Sequence, residues 1–222
     1  MALSVEAVAL RRLFETVAPP LCSGCGRAAG HAEPLCPSCR SALRWLQPKQ
    51  VTASGVELWA PLAYEGGARS LVAALKFRCA TSLAPVMAGQ IVAAAPTSVL
   101  PGDGARPALV PVPLHPARLR RRGYNQAELI CRALADRTGL GTSDCLQRHG
   151  PAVTQVGRGR AERGVAISGA VSVRDGSLIP AHPILVDDVV TTGATLAACA
   201  AALVRAGASS ARAIAYARTP GR

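Results

Sequence analysis

Aromatic residues make up only 3% of this chain of 222 residues, and lysine is nearly absent, with Lys49 and Lys76 its two examples. No uninterrupted apolar run approaches the roughly 18 residues that crossing a bilayer requires, so a membrane span is not expected. Charged residues are scarce too, at 17% beside an apolar half, a balance that excludes intrinsic disorder and predicts a globular protein. The N-terminal stretch holds Glu6 within its apolar part and Arg11 and Arg12 after it. A secretory signal has the opposite order, so none is expected and the cytoplasm is the anticipated compartment. Internal repeats and low-complexity runs are also missing.

Charge of one sign, by contrast, is plentiful. The 25 Lys+Arg outnumber the 13 Asp+Glu, giving a net charge of +12. Almost all of it is arginine, which a GC-rich coding sequence also favours, so the excess alone points only weakly to a polyanionic partner.

Of the 8 cysteines, Cys79, Cys131, Cys145 and Cys199 are scattered singly and read as small core hydrophobes. The other four form two pairs, Cys22-Ser-Gly-Cys25 and Cys36-Pro-Ser-Cys39. Two CxxC knuckles at this separation can close a tetrahedron of thiolates around one zinc ion, in a coordinatively saturated and therefore structural site. Disulfides or a redox pair are the alternatives, which a reducing compartment disfavours. His31 lies between the pairs as a substitute ligand, although four sulfurs suffice.

The periodicity predicts a short amphipathic helix over residues 4–17, ended by Pro19 and Pro20, and a linker over residues 45–55. Beyond it, strand-length apolar runs alternate with longer helical ones. Strands are predicted at 57–64, 108–114, 142–148, 169–173, 182–188 and 211–217, and helices at 69–77, 83–95, 117–137 and 195–206. This alternation implies an α/β domain with a mainly parallel sheet. Ligands of such sheets bind outside the carboxyl ends of the strands.

One strand end carries most of the chemistry. Residues 184–196 read ILVDDVVTTGATL, a strand that delivers Asp187 and Asp188, then Val189 and Val190, then the small residues Thr191, Thr192, Gly193, Ala194 and Thr195 into an alanine-rich helix. Free amides at the helix start, three hydroxyls and a glycine make a cradle for a phosphate dianion. The two carboxylates beside it suit sugar hydroxyls, a bound magnesium, or both. Helix capping alone accounts for one such residue, not for the whole arrangement.

VDDVVTTGAT resembles the signature with which type I phosphoribosyltransferases bind phosphoribosyl pyrophosphate (PRPP). The order of the cysteine knuckles, YEG at Tyr64, LKFR at Lys76, VPVPLHP at 110–116, RRGYNQ at 121–126 and RAER at 160–163 is similar to that of the ComF family, competence protein F and the GntX-like proteins. The resemblance implies a type I phosphoribosyltransferase-like α/β fold, a mainly parallel sheet flanked by helices. It implies a small N-terminal zinc-knuckle subdomain at residues 1–50 and the phosphoribosyltransferase-like domain at 51–222. It further implies Asp187 and Asp188 on the ribose hydroxyls, residues 189–195 on the 5-phosphate, magnesium with PRPP, and a link in competent bacteria to uptake of single-stranded DNA and to a helicase-like partner.

The remaining candidates follow from the same comparison. Pro113, Leu114 and His115, in a proline-constrained loop, are expected near pyrophosphate. Arg118, Arg120, Arg121 and Arg122 form the densest basic run and suit either a pyrophosphate or a nucleic-acid backbone, with Tyr124 as a stacking face for a base. Arg158, Arg160 and Arg163 belong to a Gly- and Arg-rich stretch with the composition of an active-site flap, and Lys76 would be a substrate-side cation. The stretch departs from the family pattern at Ala166, where an asparagine is usual, and near Val171, where an aromatic is. Two functions are therefore expected to compete: transfer of phosphoribosyl from PRPP to an unknown acceptor, and a non-catalytic module that grips single-stranded DNA or a helicase-like competence protein.

Overall fold

The structure, a computed structural model, describes residues 21–30, 34–47, 50–100, 107–149 and 171–220. The helix expected over 4–17, His31, and Arg158, Arg160 and Arg163 lie outside the described residues.

The main sheet is built from β1 (Val51–Ala53), β2 (Val56–Trp59), β3 (Leu62–Ala63), β4 (Leu109–Pro111), β7 (Ile184–Val190) and β8 (Arg212–Arg218), in the order β1-β2-β8-β7-β4 with β3 also beside β8. Every pairing is parallel except the β1–β2 hairpin. A separate antiparallel pair joins β5 (Leu146–Arg148) to β6 (Val171–Val173). The helices are α1 (Pro37–Ser41), α2 (Gly66–Phe77), α3 (Leu83–Ala94), α4 (Pro116–Arg122), α5 (Gln126–Thr138) and α6 (Ala194–Arg205). No described helix is long and apolar enough to cross a membrane.

The central strands β7 and β8 are covered on both faces, as their nearly continuous apolar sequences demand. Alternation sorts their side chains. Ile184, Val186, Ile214 and Tyr216 face a core shared with Leu71, Leu75, Met87, Ile91, Ile130 and Leu134 of α2, α3 and α5. Leu185, Ala213 and Ala215 face the opposite core, with Cys199 and Leu203 of α6 and Leu146 of β5. The alanines on that side let α6, itself half alanine, lie close to the sheet. The Tyr216 hydroxyl is shared with Gln90 Oε1 at 2.7 Å and ties α3 to the sheet.

Four expectations need correction. The helix predicted over 117–137 is two helices, because Gly123 takes a left-handed conformation (φ 85°), its amide closing α4 on the Leu119 carbonyl, and Asn125 then caps α5 through Oδ1, which accepts from Ala127 N at 3.2 Å. The strand predicted over 57–64 is interrupted at Pro61, which has no N–H for the ladder. The register with β8 nonetheless runs through the gap, Trp59 facing Ile214 and Leu62 facing Ala217. The linker expected over 45–55 is largely paired: Trp45 bridges Leu62, Leu46 N donates to Pro61 O, and Val51–Ala53 forms β1. Finally, Asp187 and Asp188 lie within β7, which continues to Val190, rather than at its end.

Candidate functional site

A cleft of about 670 Å³ opens at the carboxyl ends of β4 and β7, where a parallel sheet leaves its loops free to meet a ligand. Asp187 and Asp188 form its floor; α2 brings Lys76 and Phe77 to one wall, and α4 brings Arg118, Arg121 and Arg122 to another. The rest of the wall comes from Pro113 and Leu114 after β4, Asn125 and Gln126 at the start of α5, and Arg148 at the end of β5.

Successive residues of a strand point to opposite faces, and the two acids accordingly have different surroundings. Asp188 is only 4% exposed. Its Oδ1 takes an ion pair from Lys76 Nζ at 2.9 Å and its Oδ2 accepts from Gln126 Nε2 at 3.3 Å. Among the described residues Asp187 has no ion pair of this kind. Its Oδ1 accepts from the Asp188 amide at 2.8 Å, and burial, with the neighbouring charge of Asp188, holds its carboxyl well above the ordinary carboxylate range. A cation or a hydroxyl donor brought to Asp187 would offset that cost.

Beyond β7 the chain turns through Thr191 and Thr192, both exposed, into α6. A smaller recess of about 50 Å³ is lined by Asp187 and residues 189–196. Gly193 makes the turn possible twice over. Its φ of 80° is left-handed, and a Cβ there would lie 2.7 Å from Ala53 Cβ and 3.0 Å from the Ala53 carbonyl oxygen. The β1–β2 hairpin that crowds it turns on Ser54 and Gly55, both at positive φ. Ser54 Oγ donates to Thr192 O at 2.8 Å, and Ala194 N donates to Thr192 Oγ1 at 3.4 Å. The turn is thus braced from beneath while Thr191, Thr192, Thr195 and the start of α6 line the recess, and a helix start is where an anion is accepted.

The other predicted residues fall into separate groups. Asn125 Nδ2 donates to Val112 O at 3.0 Å, pinning the loop after β4 so that Pro113 and Leu114 line the cleft. His115 does not line it; the ring caps α4, Nδ1 accepting from Ala117 N at 3.1 Å. Arg118 and Arg121 are exposed on the cleft wall, whereas Arg120 is exposed on the outer side. Arg122 stacks over the Phe77 ring at 5.5 Å from its centroid, and burial lowers its pKa. Tyr124 is half-buried against the core, with its hydroxyl donating to the Leu75 carbonyl. That contact fixes the turn between α4 and α5 on α2 and commits the phenol to packing rather than to a free stacking face.

Among the polar and aromatic residues of the cleft, four were given no role from sequence: Phe77, Asn125, Gln126 and Arg148. An Asn at an N-cap position after RRGY was the available signal for Asn125 and its neighbour. Arg148 had only the mild signal of a charge ending an apolar strand.

The four knuckle cysteines come together as their spacing predicts. The sulfurs of Cys22, Cys25, Cys36 and Cys39 all lie within 4.8 Å of one another, a cluster able to hold a metal ion. The amides of Gly24 and Cys36 donate to Cys22 Sγ at 3.3 and 3.2 Å. Arg27 Nε donates to Cys25 Sγ at 3.4 Å, and its guanidinium brings that thiol down to about 6. Four soft ligands with N–H donors aimed at sulfur suit zinc, and leave no position for a substrate. The unit is not free of the rest: Cys22, Leu35, Cys36 and Leu43 share the core of α2 and α3.

No protein-family model matches the chain. It is 32% identical over 197 residues to the DNA utilization protein YhgH of Salmonella typhi, a match spanning 85% of this chain and 80% of that protein. It is 31% identical over 208 residues to the DNA utilization protein YhgH of Salmonella typhimurium, spanning 85% and 86%. Among solved structures, a hypoxanthine phosphoribosyltransferase from Staphylococcus aureus is similar over 64% of this chain and 66% of that one, at 14% identity and a TM-score of 0.37. The hypoxanthine phosphoribosyl transferase of Trypanosoma cruzi is similar at 15% identity and a TM-score of 0.35, over 61% and 62%. Scores of this size carry no reading of the site.

Proposed function

The chain belongs to the family of the DNA utilization protein YhgH, and from that premise we propose that its cleft binds PRPP and transfers the phosphoribosyl group to an acceptor, releasing pyrophosphate, in the service of DNA use. One observation carries the reading: the acid pair lines the large cleft, and Asp187 also lines the recess formed by the small-residue turn, so a single ligand can meet both. A sugar that bears a phosphate has the matching chemistry, hydroxyls for carboxylates and a dianion for amides and threonine hydroxyls.

In this reading Thr191, Thr192 and Thr195, with the amides that open α6, hold the 5-phosphate. Asp187 and Asp188 take the ribose hydroxyls, for which Lys76 must yield part of its hold on Asp188. Carboxylates and sugar hydroxyls are the hard oxygen donors that magnesium prefers, and Asp187 and Asp188 would hold it. When bound, the ion neutralises charge on the diphosphate. The acceptor's lone pair forms the new bond to the anomeric carbon as the bond to diphosphate breaks. The departing oxygen keeps that electron pair, and the acceptor's proton passes to solvent or to a basic group of the acceptor pocket. Positive charge grows on the sugar during this exchange, so fixed charges around it lower the barrier more than a general base does. The knuckle cysteines hold zinc as a structural ion that fixes the N-terminal end of α2.

Calorimetry with PRPP and magnesium tests the reading. Asp187→Asn combined with Asp188→Asn is expected to lower affinity by at least about tenfold, the loss of one charge-assisted contact. Unchanged affinity would sink it. Incubation with a metabolite extract, followed by mass spectrometry for pyrophosphate and a ribosylated product, then separates transfer from binding.

A second reading rests on the outward-facing Arg120 and the exposed Arg118 and Arg121 of α4: a grip on the backbone of single-stranded DNA, with or without a helicase-like partner. Filter binding should then weaken steeply as salt rises. A flat response removes this reading.

A further inference from the structure

Arg148 is a half-buried cation of the cleft that no protein group among the described residues engages. Elsewhere among the described residues, Arg44, Arg132 and Arg174 each pair with a carboxylate, those of Glu65, Glu128 and Asp144. In the cleft, Lys76 is committed to Asp188 and Arg122 to the Phe77 ring. Arg118 and Arg121 are exposed and hydrated. Arg148 is half-buried at the end of β5, and among the described residues it makes no side-chain hydrogen bond or ion pair. Burial disfavours its charge and Arg118 repels it, while Cys199 and Asp187 favour it. A guanidinium carries five donors in a rigid fork, and removing it from water without partners is unfavourable unless a ligand supplies them.

We propose that Arg148, with Arg118 beside it, forms a fixed anion site on the β5 side of the cleft that takes the diphosphate of the substrate. The inference rests on reading the cleft as a PRPP site and adds a residue that the motifs do not contain. The placement argues for diphosphate rather than the 5-phosphate. Arg148 lines the large cleft but not the small recess of the turn, and Asp187 lines both. A sugar over Asp187 therefore has the turn on one side and the arginine pair on the other. Two guanidinium groups facing one space also call for more negative charge than a monoanion brings, and each can engage a phosphoryl group through two parallel N–H···O bonds. Because Arg148 belongs to a paired strand, the backbone that carries it is fixed in place.

The test is calorimetry of the full, metal-loaded chain with inorganic pyrophosphate and, separately, ribose 5-phosphate, using wild type, R148M and R148K. R148M should weaken pyrophosphate binding by about tenfold or more and leave ribose 5-phosphate within about twofold. R148K should recover part of the loss, keeping charge without the fork. The thermal midpoint of R148M should hold or rise, since an unsatisfied charge has been removed. Pyrophosphate binding unchanged in R148M, equal losses for both ligands, or no pyrophosphate binding by wild type would each overturn the proposal. So would a fall in the R148M midpoint that R148K restores, which assigns Arg148 to packing. Pyrophosphate binding that depends on Arg148 in a protein with no affinity for PRPP would sink the PRPP reading and leave the anion site standing.

Discussion

The four-cysteine unit and the cleft sit at opposite ends of one helix, α2, and differ in how their polar groups are satisfied. At the knuckles the satisfaction is internal: backbone amides and Arg27 point at sulfur, and the four ligand atoms converge on a point. In the cleft, Gln126 is 4% exposed yet its Oε1 has no partner among the described residues, and Arg122 Nη1 is buried in the same condition. Native proteins leave few buried polar atoms unpaired, and those they leave tend to mark sites of function. The pairing teaches that one end of α2 meets a closed cluster able to hold an ion and the other an open cleft with unpaired polar atoms, with a rigid rod of three turns between them.

The comparison breaks most severely at the closed end. Cys36 is buried and contributes its sulfur to the cluster and its amide to Cys22. Cys36→Ser should abolish stoichiometric metal binding and forfeit much of a metal-binding free energy on the order of 10 kcal/mol. Metal content by mass spectrometry and thermal melting check this. A full-length protein that keeps its midpoint after losing the ion would show that the knuckles do not support α2.

At the open end the largest effect is expected from the buried ion pair. Asp188→Asn leaves the Lys76 ammonium, only 22% exposed along its side chain, without its counter-charge, and should cost about 3–5 kcal/mol. Adding Lys76→Met should return most of that loss, because the removal of both charges leaves nothing unpaired. Chemical denaturation of the two single variants and the double variant measures the coupling. Additive losses would mean that the 2.9 Å contact contributes no coupling.

How much of this was legible beforehand depended on whether a feature is local in the chain. The cysteine cluster was, because each knuckle brings its own ligands within three residues. The acid pair and the turn to Thr195 were, because strand, loop and helix start are contiguous. The roles of Gln126, Arg148 and Phe77 were not, since each exists only where β5, α2 or α5 meets β7 in space. The same applies to the fold. Alternating apolar runs gave the parallel sheet, but the stretch over 45–55 read as a linker because its partners, Leu62, Leu58 and Glu57, are supplied by other segments. Gly123 was overlooked because one glycine inside a long helical pattern is a weak signal until its φ is known.

A smaller effect, confined to the turn, sharpens the contrast between bracing and binding. Gly193→Ala puts a side chain at a left-handed φ and against the β1–β2 hairpin. It should cost about 1–3 kcal/mol in stability. Under the proposed function it should also weaken ribose 5-phosphate binding, because the first amides of α6 move with residue 193. Pyrophosphate binding at the arginine side should be nearly unaffected. Equal weakening of both ligands would mean that the turn and the arginine wall do not behave as separate subsites.

The smallest expected change is the most telling, because it asks whether the two ends of α2 communicate. Gly67 lies where the cysteine unit rests on the helix. A Cβ there would stand 3.0 Å from Leu43 Cδ2, 3.1 Å from the Cys39 carbonyl oxygen and 3.4 Å from Leu35 Cδ1. The leucine methyls can give way, but the carbonyl is backbone of a residue in the cysteine cluster and cannot easily do so. Gly67→Ala should therefore leave the metal bound, cost about 1 kcal/mol through overpacking, and tilt α2 by a few tenths of an ångström. At the other end that tilt carries Lys76, which pairs with Asp188, and Phe77, which lies under Arg122, and so shifts two side chains that line the cleft. Under the proposed function, a severalfold loss of PRPP affinity at full metal occupancy is the expected result. An affinity that follows metal content alone, with Gly67→Ala indistinguishable from wild type, would make the cysteine unit a weight on the helix rather than a support for the site.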